Sequence, residues 1–104
     1  MLFAIFALDR PGVEELRAQH RQPHIDHFVA LGPGFRLGGA LMDEAGRALG
    51  GMLAVIEAED MEAAQRFVRE DPFVKEGLFA EVHVRPFRPG HGVWLQDELR
   101  RAEP

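Results

Sequence analysis

Apolar positions along the chain fall into four short runs separated by turn-forming or charged residues. Two of these runs, residues 2–8 and residues 52–56, are apolar at every position. Their length and their aromatic or β-branched content favour strands covered on both faces over helices. Residues 35–42 predict a weaker strand, because two glycines interrupt it. Residues 80–87 alternate between apolar and polar side chains, which is the period-two pattern of a fourth strand.

Helical periodicity accounts for the segments between these strands. Residues 13–20 and 23–31 carry apolar residues at three- to four-residue spacing. Pro23 removes an N–H from the helical turn, so we expect a kink or a new helix start there. Residues 60–68 predict the clearest helix, with an aspartate at its start as the N-cap. The Asp-Pro pair at 71–72 predicts a further short helical turn.

The predicted elements follow the order βαββαβ, the split βαβ arrangement of ferredoxin-like α+β folds. In that arrangement four strands form one antiparallel sheet, and both helices cover the same face of it. The runs at residues 2–8 and 52–56 nevertheless predict burial on both faces. A second copy of the chain, packed sheet to sheet, is the economical way to cover the second face. We therefore expect a homodimer through the sheet face.

Composition and charge remove several classes of function. The chain contains no cysteine, which excludes disulfides, thiol catalysis, iron–sulfur clusters and thiolate zinc sites. The net charge is −5 and no strong basic patch is present, so nucleic acid is not expected as a partner. No run approaches the roughly 18 apolar residues that span a bilayer. The apolar start lacks the basic lead of a signal peptide, so we expect no membrane partner and a cytoplasmic location.

Three histidines of the first helical segment are candidates for a metal site. His20, His24 and His27 are spaced by four and then three residues, so on an unbroken helix they would share one face. Pro23 interrupts the helix between them, and the spacing fixes no acidic ligand. Three solvated histidines are therefore the simpler interpretation, and we expect no metal.

Two weaker features each allow a functional and a structural interpretation. His83 and Arg85 share a face of the fourth predicted strand, and with Glu57 on the third they would either bind an anion or form a cross-strand pair. The glycines at 38–39 would either admit a ligand close to the backbone or relieve crowding where two sheets approach. The structural interpretation is favoured in both cases.

Six segments, taken together in order and spacing, resemble the YCII-related family from Met1 to about Phe87. These segments are LFAIFA at 2–7, RQPH at 21–24, LGGA at 37–40, MEAA at 61–64, DPF at 71–73 and VHVRPF at 82–87. The resemblance implies a dimeric α+β barrel made from two ferredoxin-like units. It places the family domain at residues 1–88 and leaves residues 89–104 as a C-terminal extension. We expect a short helix around 94–101 in that extension, with Trp94 anchoring it to the body.

The resemblance also implies a candidate catalytic pair, a histidine on the first helix and an aspartate in the Asp-Pro-aromatic turn. These positions are His24 and Asp71. An imidazole held by a carboxylate keeps one tautomer and can move a proton near neutral pH without a metal or cofactor. From the residues alone, the favoured interpretation of Asp71 is a helix cap, and that of His24 is a surface or half-buried helix residue.

We therefore expect a small-molecule enzyme that uses this His-Asp pair for elimination, isomerisation or hydrolysis, with no redox cofactor and no cofactor-binding residue. A related branch of the family carries out dehydrochlorination of a small aromatic-derived compound. The alternatives are a non-catalytic module that binds a small molecule, and a cofactor-free oxygenase of the kind found on similar barrels. One departure concerns the start of the third strand, where members of the family often carry serine or threonine after a glycine and this chain has Gly-Gly-Met at 50–52.

Overall fold

A computed structural model describes residues 1–95 of the chain. Four strands and three helices follow the predicted order, with the third helix as the predicted short turn after the Asp-Pro pair. The strands are β1 (Leu2–Asp9), β2 (Phe35–Leu41), β3 (Gly51–Glu57) and β4 (Phe79–Phe87). The helices are α1 (Glu14–Val29), α2 (Met61–Arg69) and α3 (Pro72–Lys75), and 3₁₀ turns lie at Gly32–Gly34 and Val93–Leu95. The predicted α+β ferredoxin-like fold is thereby confirmed.

The four strands form one sheet in the order β2-β3-β1-β4, and every neighbouring pair is antiparallel. This order corrects one expectation about the charged residues of the sheet. Glu57 on β3 is separated by β1 from the strand that carries His83 and Arg85, so the three do not form a cross-strand group. Glu57 instead accepts a 2.6 Å bond from Nη2 of Arg36. The imidazole of His83 lies 3.7 Å from the carboxylate of its own strand neighbour Glu81.

Both faces of the sheet carry apolar side chains, as the apolar runs predicted, but this chain by itself buries only the face toward the helices. Alternate residues of β1 and β3 point toward the helices and are buried, because successive side chains of a strand point to opposite faces. This inner layer consists of Phe3, Ile5, Ala7, Met52, Ala54 and Ile56. The opposite face, which we call the outer face, keeps large apolar side chains that are 39–42% exposed. These side chains are Phe6, Leu37, Leu53 and Phe87.

Helix α1 runs without a break through Pro23, so the predicted new start at that residue is wrong. Pro23 cannot donate the N–H that would bond the carbonyl of Gln19, one turn earlier. The helix continues because tertiary packing holds both of its halves. Phe28 is buried, with its ring 5.5 Å from that of Phe35, and His24 stacks on Phe73. Packing of this kind routinely outweighs local propensity.

Both predicted aspartate caps are confirmed. Oδ1 of Asp60 accepts a 2.8 Å bond from the N–H of Ala63 at the start of α2. Oδ1 of Asp71 accepts a 3.0 Å bond from the N–H of Phe73 at the start of α3. Each bond satisfies one of the N–H groups that a helix start leaves free.

The connection between β2 and β3 is a hairpin, as predicted. Oδ1 of Asp43 accepts the N–H groups of Ala45 and Arg47 at 3.0 and 2.9 Å and so closes the loop. The Arg47 N–H is the main reason that the pKa of Asp43 lies below its ordinary value of 3.8. Because the pKa is lowered on folding, this stabilisation is present above pH 3.8 and is lost as the pH falls through the lowered value.

The predicted helix of the C-terminal extension lies largely outside the described residues. Trp94 falls within them and is 78% exposed, so its predicted role as an anchor is wrong. Within residues 1–95, no helix has the length and apolar character to cross a bilayer.

Candidate functional site

The fold brings His24 and Asp71 together from positions 47 residues apart. His24 lies in the middle of α1, and Asp71 is the N-cap of α3, against which α1 packs. Nδ1 of His24 lies 2.7 Å from Oδ1 of Asp71. The imidazole is 15% exposed and the carboxylate is completely buried.

The partners of Asp71 bear on which ring nitrogen of His24 carries the proton. Oδ1 of Asp71 also accepts the N–H of Phe73. An ionised carboxylate can only accept, so with Asp71 ionised Nδ1 of His24 donates to it and the lone pair of the neutral ring lies on Nε2.

The other carboxylate oxygen of Asp71 takes no part in the cap. Oδ2 is buried and has no hydrogen-bond partner among the described residues. An unsatisfied buried acceptor costs about 1–3 kcal/mol. The cap needs only one accepting oxygen, which Oδ1 supplies, so it does not account for the position of Oδ2.

Aromatic rings fix the plane of the His24 imidazole. It stacks on Phe73 with a centroid separation of 4.0 Å and an interplanar angle of 11°. Phe28 lies against it at 5.1 Å in a tilted arrangement. The ring therefore has little freedom to rotate away from Asp71.

His24 lines a cavity of about 260 Å³ between α1 and the strands β2 and β3. Most of its walls are apolar, and they include the rings of Phe28, Phe35 and Phe73. Two arginines of α1, Arg17 and Arg21, also line it, whereas none of the lining residues is acidic. This cavity is large enough for a small aromatic compound and places the imidazole at its wall.

Arg17 is held at the cavity wall by contacts that sequence reasoning did not reveal. Its Nε and Nη2 donate to the two carboxylate oxygens of Asp9 at 2.6 and 3.1 Å. Nη2 also donates to the carbonyl of Gly51 at 2.8 Å. The guanidinium carbon lies 5.1 Å from the centroid of the Phe73 ring, within cation–π range. The signal that could have indicated this residue is its spacing of seven from His24, which puts both on one helix face.

Gly38 of β2 has a packing role within its own strand. A Cβ on Gly38 would lie 2.5 Å from the ring of Phe35. Gly38 thus makes room for a cavity-lining aromatic ring of its own strand. Gly39 also lines the cavity, and a Cβ there would meet nothing within 4 Å.

The absent hydroxyl at the start of β3 has a direct consequence for the cavity. Met52 follows Gly51, is buried, and lines the cavity with an apolar side chain. A hydroxyl at this position could donate a hydrogen bond to a ligand, whereas the Met52 thioether has no donor and is only a weak acceptor.

The other two histidines of α1 turn to different partners. Nε2 of His27 lies 2.7 Å from the backbone carbonyl oxygen of Phe67, and the His27 imidazole stacks on the Phe67 ring. Nε2 of His20 lies 3.9 Å from the carboxylate of Glu76. The description of all three as solvated is therefore wrong, because each is partly buried with a partner. Among residues 1–95, no group of three or more His, Cys, Asp or Glu side chains is placed to hold a metal ion.

Comparison with known proteins agrees with this arrangement of fold and site. Residues 1–88 match the model of the YCII-related domain. The chain belongs to the YCII-related family. Protein YciI of Escherichia coli O6:H1 is 30% identical over 95 residues, covering 85% of this chain and 97% of that protein. An uncharacterized protein of Haemophilus influenzae is 29% identical over 97 residues, covering 85% and 97% respectively.

Solved structures place this family member among proteins of the dimeric α+β barrel type. The 5-chloro-2-hydroxyhydroquinone dehydrochlorinase of Burkholderia phenoliruptrix AC1100, in complex with 2,5-dihydroxybenzoquinone, is 31% identical with a TM-score of 0.78. The alignment covers 86% of this chain and 96% of the dehydrochlorinase. A cofactor-independent oxygenase from Streptomyces nogalater is 17% identical with a TM-score of 0.50, covering 86% and 93%. This second likeness concerns the fold alone.

Proposed function

We propose that the protein is a small-molecule enzyme in which His24 acts as general base and acid and Asp71 orients it. The observation that carries this proposal is the 2.7 Å contact between Nδ1 of His24 and the buried Oδ1 of Asp71, at the wall of the cavity. The orphaned second oxygen of Asp71 supports it, because that burial serves no capping purpose.

The chemistry follows from the fixed tautomer. The Nε2 lone pair removes a proton from a carbon or hydroxyl acid in the cavity, and the Asp71 carboxylate stabilises the imidazolium that forms. In an elimination the leaving group then departs from the neighbouring carbon with its electron pair. In an isomerisation the proton returns to a different atom. Neither route changes the overall oxidation level, so no redox cofactor is required.

Elimination is the reaction class to test first. The dehydrochlorinase that resembles this chain acts on a small aromatic-derived compound, and the cavity here has aromatic walls and a volume of about 260 Å³. We propose small cyclic carbon acids, with or without a halide leaving group, as the substrate class. The same cavity would also serve a non-catalytic module that binds such a compound, and the experiment below distinguishes the two.

Changing His24 to glutamine should lower turnover by about 10²- to 10⁴-fold, the usual contribution of a general base. The measurement is chloride release from 5-chloro-2-hydroxyhydroquinone, together with solvent deuterium exchange into a panel of small carbon acids. His20→Gln is the matched control, since His20 lies on the same helix outside the cavity lining and should retain full turnover.

Either of two results would overturn the enzyme proposal. One is a His24→Gln protein that turns over as fast as the native protein. The other is a native protein that binds members of the panel but neither releases chloride nor exchanges deuterium. That second result would establish the binding module instead.

We further propose that the protein works as a homodimer joined through the outer face of the sheet. Four large apolar side chains remain 39–42% exposed there, where contact with water is unfavourable. Introducing a charge at its centre with Leu53→Glu should shift the protein from dimer to monomer in sedimentation equilibrium. Val29→Glu, which places the same charge on exposed helix surface, should leave the dimer intact. A native protein that sediments as a monomer would contradict this proposal.

A further inference from the structure

Three nitrogen-bearing side chains form one stripe along the cavity side of α1. Arg17, Arg21 and His24 are spaced by four and three residues, which puts them on one helix face, and all three line the cavity. At a rise of about 1.5 Å per residue, Arg21 lies roughly 4.5 Å and Arg17 roughly 10 Å from His24 along the helix axis. A small molecule in contact with His24 would therefore lie within reach of an arginine.

Arg17 is a preorganised donor whose charge is already offset. Asp9 engages its Nε and Nη2, and that carboxylate is itself almost completely buried behind the guanidinium. Nη1 of Arg17 makes no hydrogen bond among the described residues and is not among the buried atoms without a partner. Its two N–H groups are thus fixed in place and free to meet a ligand oxygen.

Arg21 contributes a positive charge that no carboxylate of the described residues neutralises. It lines the mouth of the cavity, is exposed, and makes no hydrogen bond or ion pair with another residue of the described chain. No carboxylate belongs to the cavity lining, although the chain as a whole carries a net charge of −5. A positive cleft in an acidic protein concentrates anions and repels cations.

The cavity walls restrict the shape of such an anion. Phe28, Phe35 and Phe73 all present aromatic rings to the cavity. Gly38 allows the Phe35 ring to lie against its strand, since a Cβ there would overlap the ring. Aromatic walls of this kind favour a flat, largely apolar ligand body.

We propose that Arg17 and Arg21 form an anion-binding subsite one to two helical turns from His24, so that the substrate is a small planar compound carrying a carboxylate, phenolate or enolate. Arg21 provides the selecting charge, and Nη1 of Arg17 provides a fixed donor to the same oxygen group. This proposal rests on the proposed function, since the ligand it describes is the substrate on which His24 acts. Its binding prediction can nevertheless be measured without turnover.

The test compares benzoate with benzamide, which have nearly the same shape but differ in charge. Affinities are measured by NMR titration of the native protein near neutral pH. Benzoate should bind about tenfold or more tightly than benzamide, the usual range for a charge-assisted hydrogen bond. Arg21→Met should remove most of that preference, and Arg21→Lys should keep most of it. Arg69→Met, which removes an exposed arginine of α2 outside the cavity, should leave both affinities unchanged.

Three results would overturn the subsite: equal binding of the two probes, binding of neither, or a benzoate affinity that Arg21→Met does not change. Because Arg21 is exposed and has no partner within residues 1–95, its replacement should not affect folding, which a thermal melt checks. The His24→Gln protein should keep the preference for benzoate. If the protein selects benzoate through Arg21 but has no turnover, the subsite proposal stands and the proposed function is wrong. If the protein has turnover but Arg21→Met does not change its affinity for benzoate, the proposed function stands and the subsite proposal is wrong.

Discussion

Replacing Asp71 with asparagine should lower turnover by about two to four orders of magnitude while the protein remains folded. Asparagine is nearly as good an N-cap as aspartate, so the bond from the N–H of Phe73 can persist. The side chain nevertheless loses its charge, and it can no longer stabilise the imidazolium of His24. The catalytic loss should therefore greatly exceed the loss of stability.

Three measurements on the Asp71→Asn protein separate these effects. Steady-state kinetics give the turnover, a thermal melt gives the stability, and ¹⁵N NMR of the His24 ring reports which nitrogen carries the proton. Asp60→Asn is the matched control, because Asp60 caps α2 through the same kind of bond but contacts no histidine. It should leave turnover unchanged. If both variants retained native turnover, Asp71 would be a helix cap and nothing more.

Replacing Gly51 with alanine should destabilise the protein by at least about 3 kcal/mol, or prevent folding altogether. Gly51 has φ of 144°, and a Cβ there would lie 1.9 Å from the carbonyl oxygen of Ala7 on the adjacent strand. Both atoms that would collide belong to the strand framework, so no side-chain rotation relieves the overlap. The carbonyl of Gly51 also accepts the bond from Arg17, so any shift of β3 would disturb the cavity wall.

Urea denaturation measures this loss, and Gly39→Ala is its control. Gly39 lies on the neighbouring strand β2, and a Cβ there would meet nothing within 4 Å. We expect a change of less than about 1 kcal/mol at that position, because only the small difference in strand preference remains. A Gly51→Ala protein as stable as the native one would show that β1 and β3 separate more easily than their register indicates.

Local patterns were sufficient to predict the secondary structure. The apolar runs at 2–8 and 52–56 correspond to β1 and β3, and their inner residues are buried as expected. The caps at Asp60 and Asp71 were recognisable because capping depends on one side chain and the N–H groups two or three residues later. Strand alternation and capping act over a few residues, so a short stretch of sequence determines them.

The candidate pair was available from the sequence only through the family resemblance. Without it, a helix cap was the favoured interpretation of Asp71, and His24 was one of three histidines on a helix. The distance between them depends on how α1 packs against α3, and a separation of 47 residues contains no periodic signal for that packing. The interpretation of the three histidines as solvated failed for the same reason, since the partner of His27 is the backbone of α2.

Sequence by itself thus determined the elements, their order, the two helix caps and the apolar character of both sheet faces. Only the tertiary structure decided that α1 continues through Pro23, that β1 separates Glu57 from β4, and that Arg17 and Arg21 share a cavity with His24. The physical reason is the distance along the chain over which each interaction acts. Backbone geometry and hydrophobic periodicity are properties of neighbouring residues, whereas a site depends on burial and packing between segments that are distant along the chain.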